Sequence, residues 1–77
     1  RREAMIRFRL KEMIAEKEFR DGERLSIGKI SQETGIHRST ISRIASQKGY
    51  NTTTENIDRL CNFFECSVDE IMEHIPD

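Results

Sequence analysis

The hydrophobic residues of this chain recur mainly at helical spacing. In the first segment, four of them are separated by steps of four, three and one, which places them on one helix face: Ile6, Leu10, Met13 and Ile14. This spacing predicts a first helix that begins at about Ala4 or Phe8 and ends at Phe19. A polar, glycine-containing loop follows at residues 20–24.

Residues 5–9 leave a second interpretation open. Around them, the apolar residues Ile6, Phe8 and Leu10 alternate with Arg7, Arg9 and Lys11, and a period of two is that of a β-strand. On a helix, Phe8 lies away from the apolar face. Either Phe8 therefore belongs to a partner-facing surface, or residues 5–9 are extended.

The next two predicted helices are short and are separated by a glycine. Ser26 is a suitable N-cap for the second helix, and Gly35 is a suitable C-cap because glycine adopts the left-handed conformation without strain. The third helix is predicted from Arg38 to about Lys48. The apolar residues that these helices and their turn direct inward are Ile27, Ile30, Ile36, Ile41 and Ile44.

The last third of the chain predicts a fourth and a fifth helix. Thr52 and Glu55 match a capping box at the start of the fourth helix, with Thr53 as an alternative cap. A second capping box at residues 67–70 opens the fifth helix, which stops at Pro76. The core faces of the two helices carry Ile57, Leu60, Cys61 and Phe64, then Ile71, Met72 and Ile75.

The length and composition favour one small helical domain over residues 1–77. The chain is 35% hydrophobic and 35% charged, with 4 Gly and 1 Pro, which is too apolar for disorder and too poor in turn residues for an all-β fold. No run approaches the ~18 apolar residues of a membrane span, and no signal peptide opens the chain. We therefore expect a cytoplasmic protein without a membrane partner, with Met5 as a candidate native start after upstream residues 1–4.

The formal net charge of −1 conceals an uneven distribution. Residues 1–50 hold 12 of the 13 Lys and Arg against 7 Asp and Glu, whereas residues 51–77 hold one Arg against 7 acids. The two parts therefore carry +5 and −6. A basic front part can present a positive face to nucleic acid, although an uneven solvated surface gives the same count.

The residue types that usually carry catalysis or bind metals do not form a recognisable site. Cys61 and Cys66 lack the further ligands that zinc requires, and we expect them to pack as small apolar residues. His74 has no catalytic companion, and no phosphate-binding loop or nucleophile motif is present. We therefore expect neither an enzyme nor a protein with a metal, a cofactor or a small-molecule substrate.

Residues 26–48 carry the clearest functional signal. A helix, a tight glycine turn and a second helix with a polar exposed face form the pattern of a helix-turn-helix. The second helix is the recognition helix, over residues 38–48, and its outward side holds Arg38, Ser39, Ser42, Arg43 and Ser46. Such a helix is shaped for the major groove of DNA.

Residues 26–44, SIGKISQETGIHRSTISRI, resemble the helix-turn-helix of the Cro and phage-repressor (XRE) family of regulators. The tail over residues 61–76 is similar to that of a bacterial subgroup of the family, and the likeness covers about residues 10–77. The resemblance implies an all-α, five-helix, lambda-repressor-like fold. It also implies sequence-specific binding of double-stranded DNA.

The resemblance assigns roles to individual residues. Base contacts fall on Arg38, Ser39 and Arg43, and an arginine can bridge O6 and N7 of guanine. Phosphate contacts fall at helix starts, which favour anions, along the recognition helix and just beyond it: Ser26, His37, Thr40, Ser42, Lys48 and Asn51.

Three features depart from the family pattern. Ser31 replaces an alanine where the second and third helices cross, so its hydroxyl needs a hydrogen-bond partner. Ile14 and Ala45 replace an arginine–glutamate pair, so we expect an apolar contact between the first helix and the end of the third. The stretch over residues 45–57 is one residue longer than usual.

The main functional hypothesis is a bacterial or phage transcriptional regulator that occupies an operator. The alternative is an antitoxin-like or accessory module that binds a protein on the same fold. Dimers commonly read two-fold operators, so a homodimer is a candidate assembly. We expect any dimer contact to use the chain ends, with Phe8 as the candidate residue and residues 38–43 left free, unless Phe8 folds back on its own domain.

Overall fold

The helices predicted from the apolar pattern are present, and a small β-sheet joins the two ends of the chain. The computed structural model describes residues 5–76, so the expectations for residues 1–4 and for Asp77 lie outside it. In chain order the elements are β1 (Met5–Phe8), α1 (Leu10–Asp21), α2 (Ile27–Thr34), α3 (Arg38–Ser46), α4 (Thr54–Phe64), α5 (Val68–Ile71) and β2 (Met72–Ile75). None of these helices is long and apolar enough to cross a membrane. The fold is mostly helical, but the prediction of a strictly all-α fold was wrong.

The sheet contains β1 and β2, which pair antiparallel with Met5 opposite Ile75 and Phe8 opposite Met72. The alternating residues at the start of the chain therefore form a strand, and the first helix begins at Leu10. Across the sheet, the Arg7 guanidinium lies 3.2 Å from the Glu73 carboxylate. The pairing explains why the start of the chain is not helical, because its backbone groups bond to a distant strand instead of to the next turn.

The fifth helix is shorter than predicted because residues 72–75 leave it to form β2. The predicted capping box of Ser67 and Glu70 is present, but Met72 is already extended, with φ −146° and ψ 151°. Met72 and Ile75 are three residues apart, which also fits one face of a helix. The free backbone groups of β1 offer these residues an alternative set of hydrogen bonds, and this long-range pairing decides their conformation.

The core lies where the helices meet, and among residues 5–76 every buried side chain is apolar. Its buried members are Leu10, Ile30, Ile36, Ile41, Ile44, Ile57, Leu60, Phe64 and Ile71. They come from all five helices and from the turn between α2 and α3. Phe8 and Met72 pack against this core from the sheet. The burial of apolar surface is therefore what holds the helices and the sheet together.

The ends of α3 and α4 differ in detail from the prediction. α3 ends at Ser46, two residues before Lys48, because Gln47 is extended and Gly49 has a φ of 64°. α4 is capped by Thr53, whose hydroxyl accepts a hydrogen bond from the Asn56 amide at 3.1 Å. The alternative cap at the start of α4 is therefore confirmed.

The departures from the family pattern have visible consequences. The Ser31 hydroxyl donates to the Ile36 carbonyl at 2.6 Å, so the polar replacement in α2 has its partner within the turn. Ile14 and Ala45 are both half-buried and pack against the core. Neither is strongly exposed, as predicted, but Ile14 is not fully buried. A direct contact between the two side chains stays a prediction.

The two cysteines pack as small apolar side chains, as expected. Cys61 and Cys66 are both free thiols, half-buried against the core. Burial raises the pKa of the Cys66 thiol to about 11, and the neighbouring Cys61 thiol and the Glu70 carboxylate add to the effect. The Cys66 thiol therefore stays protonated at neutral pH, and its contacts with the core are those of a small apolar side chain.

The fold predicts a large stability difference between core and surface substitutions. Leu60 is fully buried, so Leu60→Ala should lower the free energy of unfolding by ~2–5 kcal/mol through lost burial and the cavity left behind. Phe19 on α1 is 90% exposed, and Phe19→Ala is the matched control, expected to change stability by less than ~0.5 kcal/mol. Urea denaturation measures both. Equal losses for the two variants would contradict the core described here.

Candidate nucleic-acid interface

The α2–α3 pair is a helix-turn-helix with a hydrogen-bonded turn. Gly35 has a φ of 77° and donates its amide to the Ser31 carbonyl at 2.9 Å, which ends α2 in the left-handed conformation that glycine adopts most easily. The Thr34 hydroxyl then accepts the Ile36 amide at 3.2 Å and donates to the Ile30 carbonyl at 2.7 Å. Together with the Ser31 hydroxyl bond, these contacts fix both the turn and the entry into α3.

Opposite sides of α3 have opposite character. Ile41 and Ile44 are buried against the rest of the protein, with 0% and 1% of their surface exposed. The predicted outward residues are all exposed, and their spacing places them on one side of the helix: Arg38, Ser39, Ser42, Arg43 and Ser46. The structure thus brings the three predicted base-contact residues onto one free surface, which we call the α3 face.

His37 and Ser39 form the N-terminal cap of α3. The His37 Nδ1 accepts the Ser39 amide at 3.2 Å, and the Ser39 hydroxyl lies 2.8 Å from the same nitrogen. An Nδ1 that accepts the amide is unprotonated, so the Ser39 hydroxyl is the donor in the second contact and the two hydrogen bonds share one lone pair. The side chain of His37 is exposed, so it combines a capping role with an accessible ring.

The other residues predicted to contact phosphate lie in three different places. Ser26 is the N-cap of α2, where its hydroxyl accepts the Lys29 amide at 3.1 Å. Thr40 is half-buried, whereas Ser42 is exposed on the α3 face. Lys48 and Asn51 are exposed in the segment that follows α3. The structure therefore groups most of these residues around α3, with Thr40 the least accessible of them.

The electrostatic character of the α3 face comes from an absence of acids. Residues 34–54 contain no Asp or Glu, but they include Arg38, Arg43 and Lys48. Several other cations are paired, for example Arg7 with Glu12 at 2.8 Å and Arg59 with Glu55 at 2.9 Å. Within residues 5–76, no carboxylate lies within salt-bridge distance of the three cations around α3. This acid-free stretch can be read from the sequence, but the charge counts over residues 1–50 and residues 51–77 did not reveal it.

Gly28 is a second feature that the sequence interpretation overlooked. It lies in the first turn of α2, and the Arg38 guanidinium packs directly beside it. The sequence did offer a signal, which is a glycine inside a predicted helix. Glycine lowers helix stability there, so its presence indicates that the space of a side chain is needed for another group.

A groove of about 590 Å³ lies beside β1, between the strand, the start of α1 and the end of α3. Its lining includes Met5, Ile6, Phe8, Ala45, Lys48 and Ile75. Phe8 is half-buried and packs partly against its own core, in agreement with the interpretation that it folds back on the domain. Its role as a dimer contact stays a prediction.

The chemistry of these surfaces is suited to binding polyanions. The part of the chain that the structure covers contains no cluster of three or more His, Cys, Asp or Glu side chains that could hold a metal ion. The α3 face offers guanidinium groups and hydroxyls, which are donors for phosphate oxygens and for the base edges of DNA.

Comparisons with known proteins agree with this geometry. A family model for the Cro/C1-type HTH DNA-binding domain matches residues 9–77. The crystal structure of the transcriptional regulator VanUg, form II, superposes with a TM-score of 0.72 over 100% of this chain and 93% of that one, at 13% sequence identity. At this identity the likeness shows a shared fold. A search among curated proteins found no match.

The cap at the start of α3 leads to a prediction about His37 in the absence of DNA. His37→Ala removes the acceptor of the Ser39 amide and should lower the free energy of unfolding by ~0.5–2 kcal/mol. His37→Asn is the matched control, since an asparagine side chain can accept the same amide, and it should retain most of the stability. Urea denaturation of both variants makes the comparison. A His37→Ala variant as stable as the wild type would show that the cap bond contributes nothing.

Proposed function

Since this chain belongs to the family of Cro/C1-type HTH DNA-binding domains, we propose that it is a sequence-specific transcriptional regulator that inserts α3 into the major groove of DNA. The observation that carries the proposal is the α3 face, whose cations have no acidic neighbours within residues 34–54. Leaving charges unpaired on one surface favours a polyanionic partner, because DNA phosphates can supply the missing negative charge.

Base recognition is proposed for three residues of α3. Arg43 lies one helical turn beyond Ser39 on the same exposed side, with a side chain long enough to reach a base edge. Its guanidinium can donate to O6 and N7 of one guanine at the same time. Arg38 and Ser39 begin the helix, which is the part of a recognition helix that enters the groove first. These three residues then read the operator.

Phosphate contacts are proposed for residues around the reading surface. Ser26 and His37 cap the starts of α2 and α3, where the helix dipoles and unbonded amides favour an anion. Thr40 and Ser42 contribute hydroxyls along α3, and Lys48 and Asn51 contribute from the segment beyond it. Such contacts fix the register of the protein on the duplex, whereas the base contacts supply sequence preference.

The decisive experiment is fluorescence anisotropy with a duplex that the protein selects from a randomised library. Specific binding should weaken steeply as salt rises, because neutralised phosphates release counterions. An unrelated duplex should bind more weakly at every salt concentration. Absent or salt-insensitive binding would contradict the proposal and favour the antitoxin-like or accessory role, in which the same fold binds a protein.

Single substitutions separate the two kinds of contact. Arg43→Ala should weaken binding of the selected duplex by ~1–3 kcal/mol and relax the preference at one base pair, because it removes a base contact. Lys48→Ala should weaken all duplexes alike and lower the salt slope by about 1, because it removes a phosphate contact. Anisotropy titrations on the selected duplex and on single-base variants measure both effects.

Arg20→Ala is the control for these titrations, since Arg20 is an exposed arginine on α1 beside Asp21. It should leave both affinity and preference unchanged. Sequence-independent losses of equal size for Arg43→Ala and Lys48→Ala would show that Arg43 contacts only the DNA backbone.

We also propose that the protein reads a two-fold operator as a homodimer, with the free edge of β1 at the contact. Met5, Ile6 and Ile75 are half-buried at the open end of the sheet but, unlike Phe8, do not pack against the core. A two-stranded sheet is only marginally stable alone, so a second copy that pairs with it gains both hydrogen bonds and apolar burial. This contact leaves residues 38–43 free for the groove.

Substitutions in β1 test the dimer. Met5→Ser and Phe8→Ser should both shift the sedimentation equilibrium towards monomer, because each removes apolar surface from the strand. Phe8→Ser also loses packing against its own core, so circular dichroism must show that the variant is folded. Phe19→Ser, at the exposed residue on α1, is the control and should leave the equilibrium unchanged. A dimer that persists in both β1 variants would exclude the strand as the contact.

A further inference from the structure

Gly28 occupies a place where an alanine would stabilise the helix. It lies in the first turn of α2, one residue after Ile27, and its φ is not in the left-handed region that favours glycine. Glycine has a lower helix propensity than alanine because its backbone loses more conformational freedom on folding. Backbone geometry therefore gives no reason for a glycine at this position.

The space beside Gly28 gives the reason. A Cβ at this position would lie 2.9 Å from Nη2 and 3.2 Å from Cζ of Arg38, and 3.5 Å from its Nε. All three atoms belong to the guanidinium group, so the planar end of Arg38 lies against the backbone of α2. Even the methyl group of an alanine would displace the guanidinium from this position.

The Arg38 guanidinium lies beside Gly28, in the first turn of α2. The side chain is exposed, and in the described residues no carboxylate lies within salt-bridge distance of it. Arg59, by contrast, is held by the Glu55 carboxylate at 2.9 Å. Arg38 thus keeps its full charge available to a ligand, while α2 limits the directions in which the side chain can extend.

We propose that Gly28 is a positioning residue for Arg38, which it holds against α2 in the orientation that contacts DNA. This inference rests on the proposed function, since it concerns how one residue of the α3 face reaches the duplex. A long side chain that is already ordered loses less conformational entropy on binding. The absence of a side chain at Gly28 therefore raises DNA affinity and base preference, and it lowers the stability of α2.

The inference predicts opposite effects of Gly28→Ala on folding and on binding. The melting temperature should rise by a few degrees, because alanine stabilises α2. The Kd for the duplex selected from a randomised library should rise by roughly 2- to 10-fold, because the arginine must be ordered during binding. Preference should relax at the base pair that Arg38→Ala also affects. A residue with a merely structural role would change stability and affinity in the same direction.

A double-mutant cycle shows whether the effect passes through Arg38. In the Arg38→Ala background, Gly28→Ala should change the Kd by less than about 2-fold, since the positioned side chain is gone. Gln32→Ala, an exposed substitution on the same helix, is the control for added helix propensity and should leave the Kd unchanged in both backgrounds. An equal loss of affinity from Gly28→Ala in the two backgrounds would overturn the inference.

A measurement without DNA keeps the inference separate from the proposed function. The NMR signal of the Arg38 Nε–H group in the free protein should shift with Gly28→Ala and remain in place with Gln32→Ala. If Arg38→Ala weakens binding but Gly28→Ala changes neither the Kd nor this signal, positioning by Gly28 is wrong and the DNA-binding function stands. If the signal shifts but the wild type binds no duplex, the proposed function fails instead.

Discussion

The burial of four isoleucines between α2, α3 and the rest of the protein is the contact on which the interface depends. Ile30, Ile36, Ile41 and Ile44 are among the most deeply buried residues of the chain. Because close-packed side chains tolerate little displacement, they fix the angle and depth of α3 relative to α2. The hydrogen bonds of Ser31 and Thr34 then tighten the turn without burying an unpaired polar group. The exposed side chains of the α3 face gain their geometry from this apolar contact beneath them.

The charge distribution complements this geometry. Ion pairs on α1, α4 and the sheet neutralise several cations, whereas residues 34–54 contain Arg38, Arg43 and Lys48 and no acid. A net charge of −1 is therefore compatible with a locally positive face. Unpaired like charges on one helix repel each other, but solvent and salt screen the repulsion in the free protein. The electrostatic interaction of these charges is most favourable when phosphate groups replace that solvent.

The sheet connects the two ends of the chain to the helix bundle. The Arg9 amide donates to the Ile71 carbonyl at 2.7 Å, where β1 leads into α1 and α5 leads into β2. Phe8 and Met72 pack the sheet onto the core, while Met5 and Ile75 remain at its open end. One small element thus combines a structural contact on the inside with an apolar edge on the outside.

The sequence by itself determined the features that depend on near neighbours. The helix-turn-helix, the caps at Ser26 and Ser67 and the apolar face of α4 follow from spacing and capping chemistry within single segments. Tertiary structure decided the conformation of residues 72–75, because their spacing fits a helix and a strand equally well and their partner strand lies at the other end of the chain. It also decided the environment of Gly28, since the side chain that needs its space belongs to another helix. Local conformational preferences can be read from a sequence, but which distant groups become neighbours depends on how the whole chain packs.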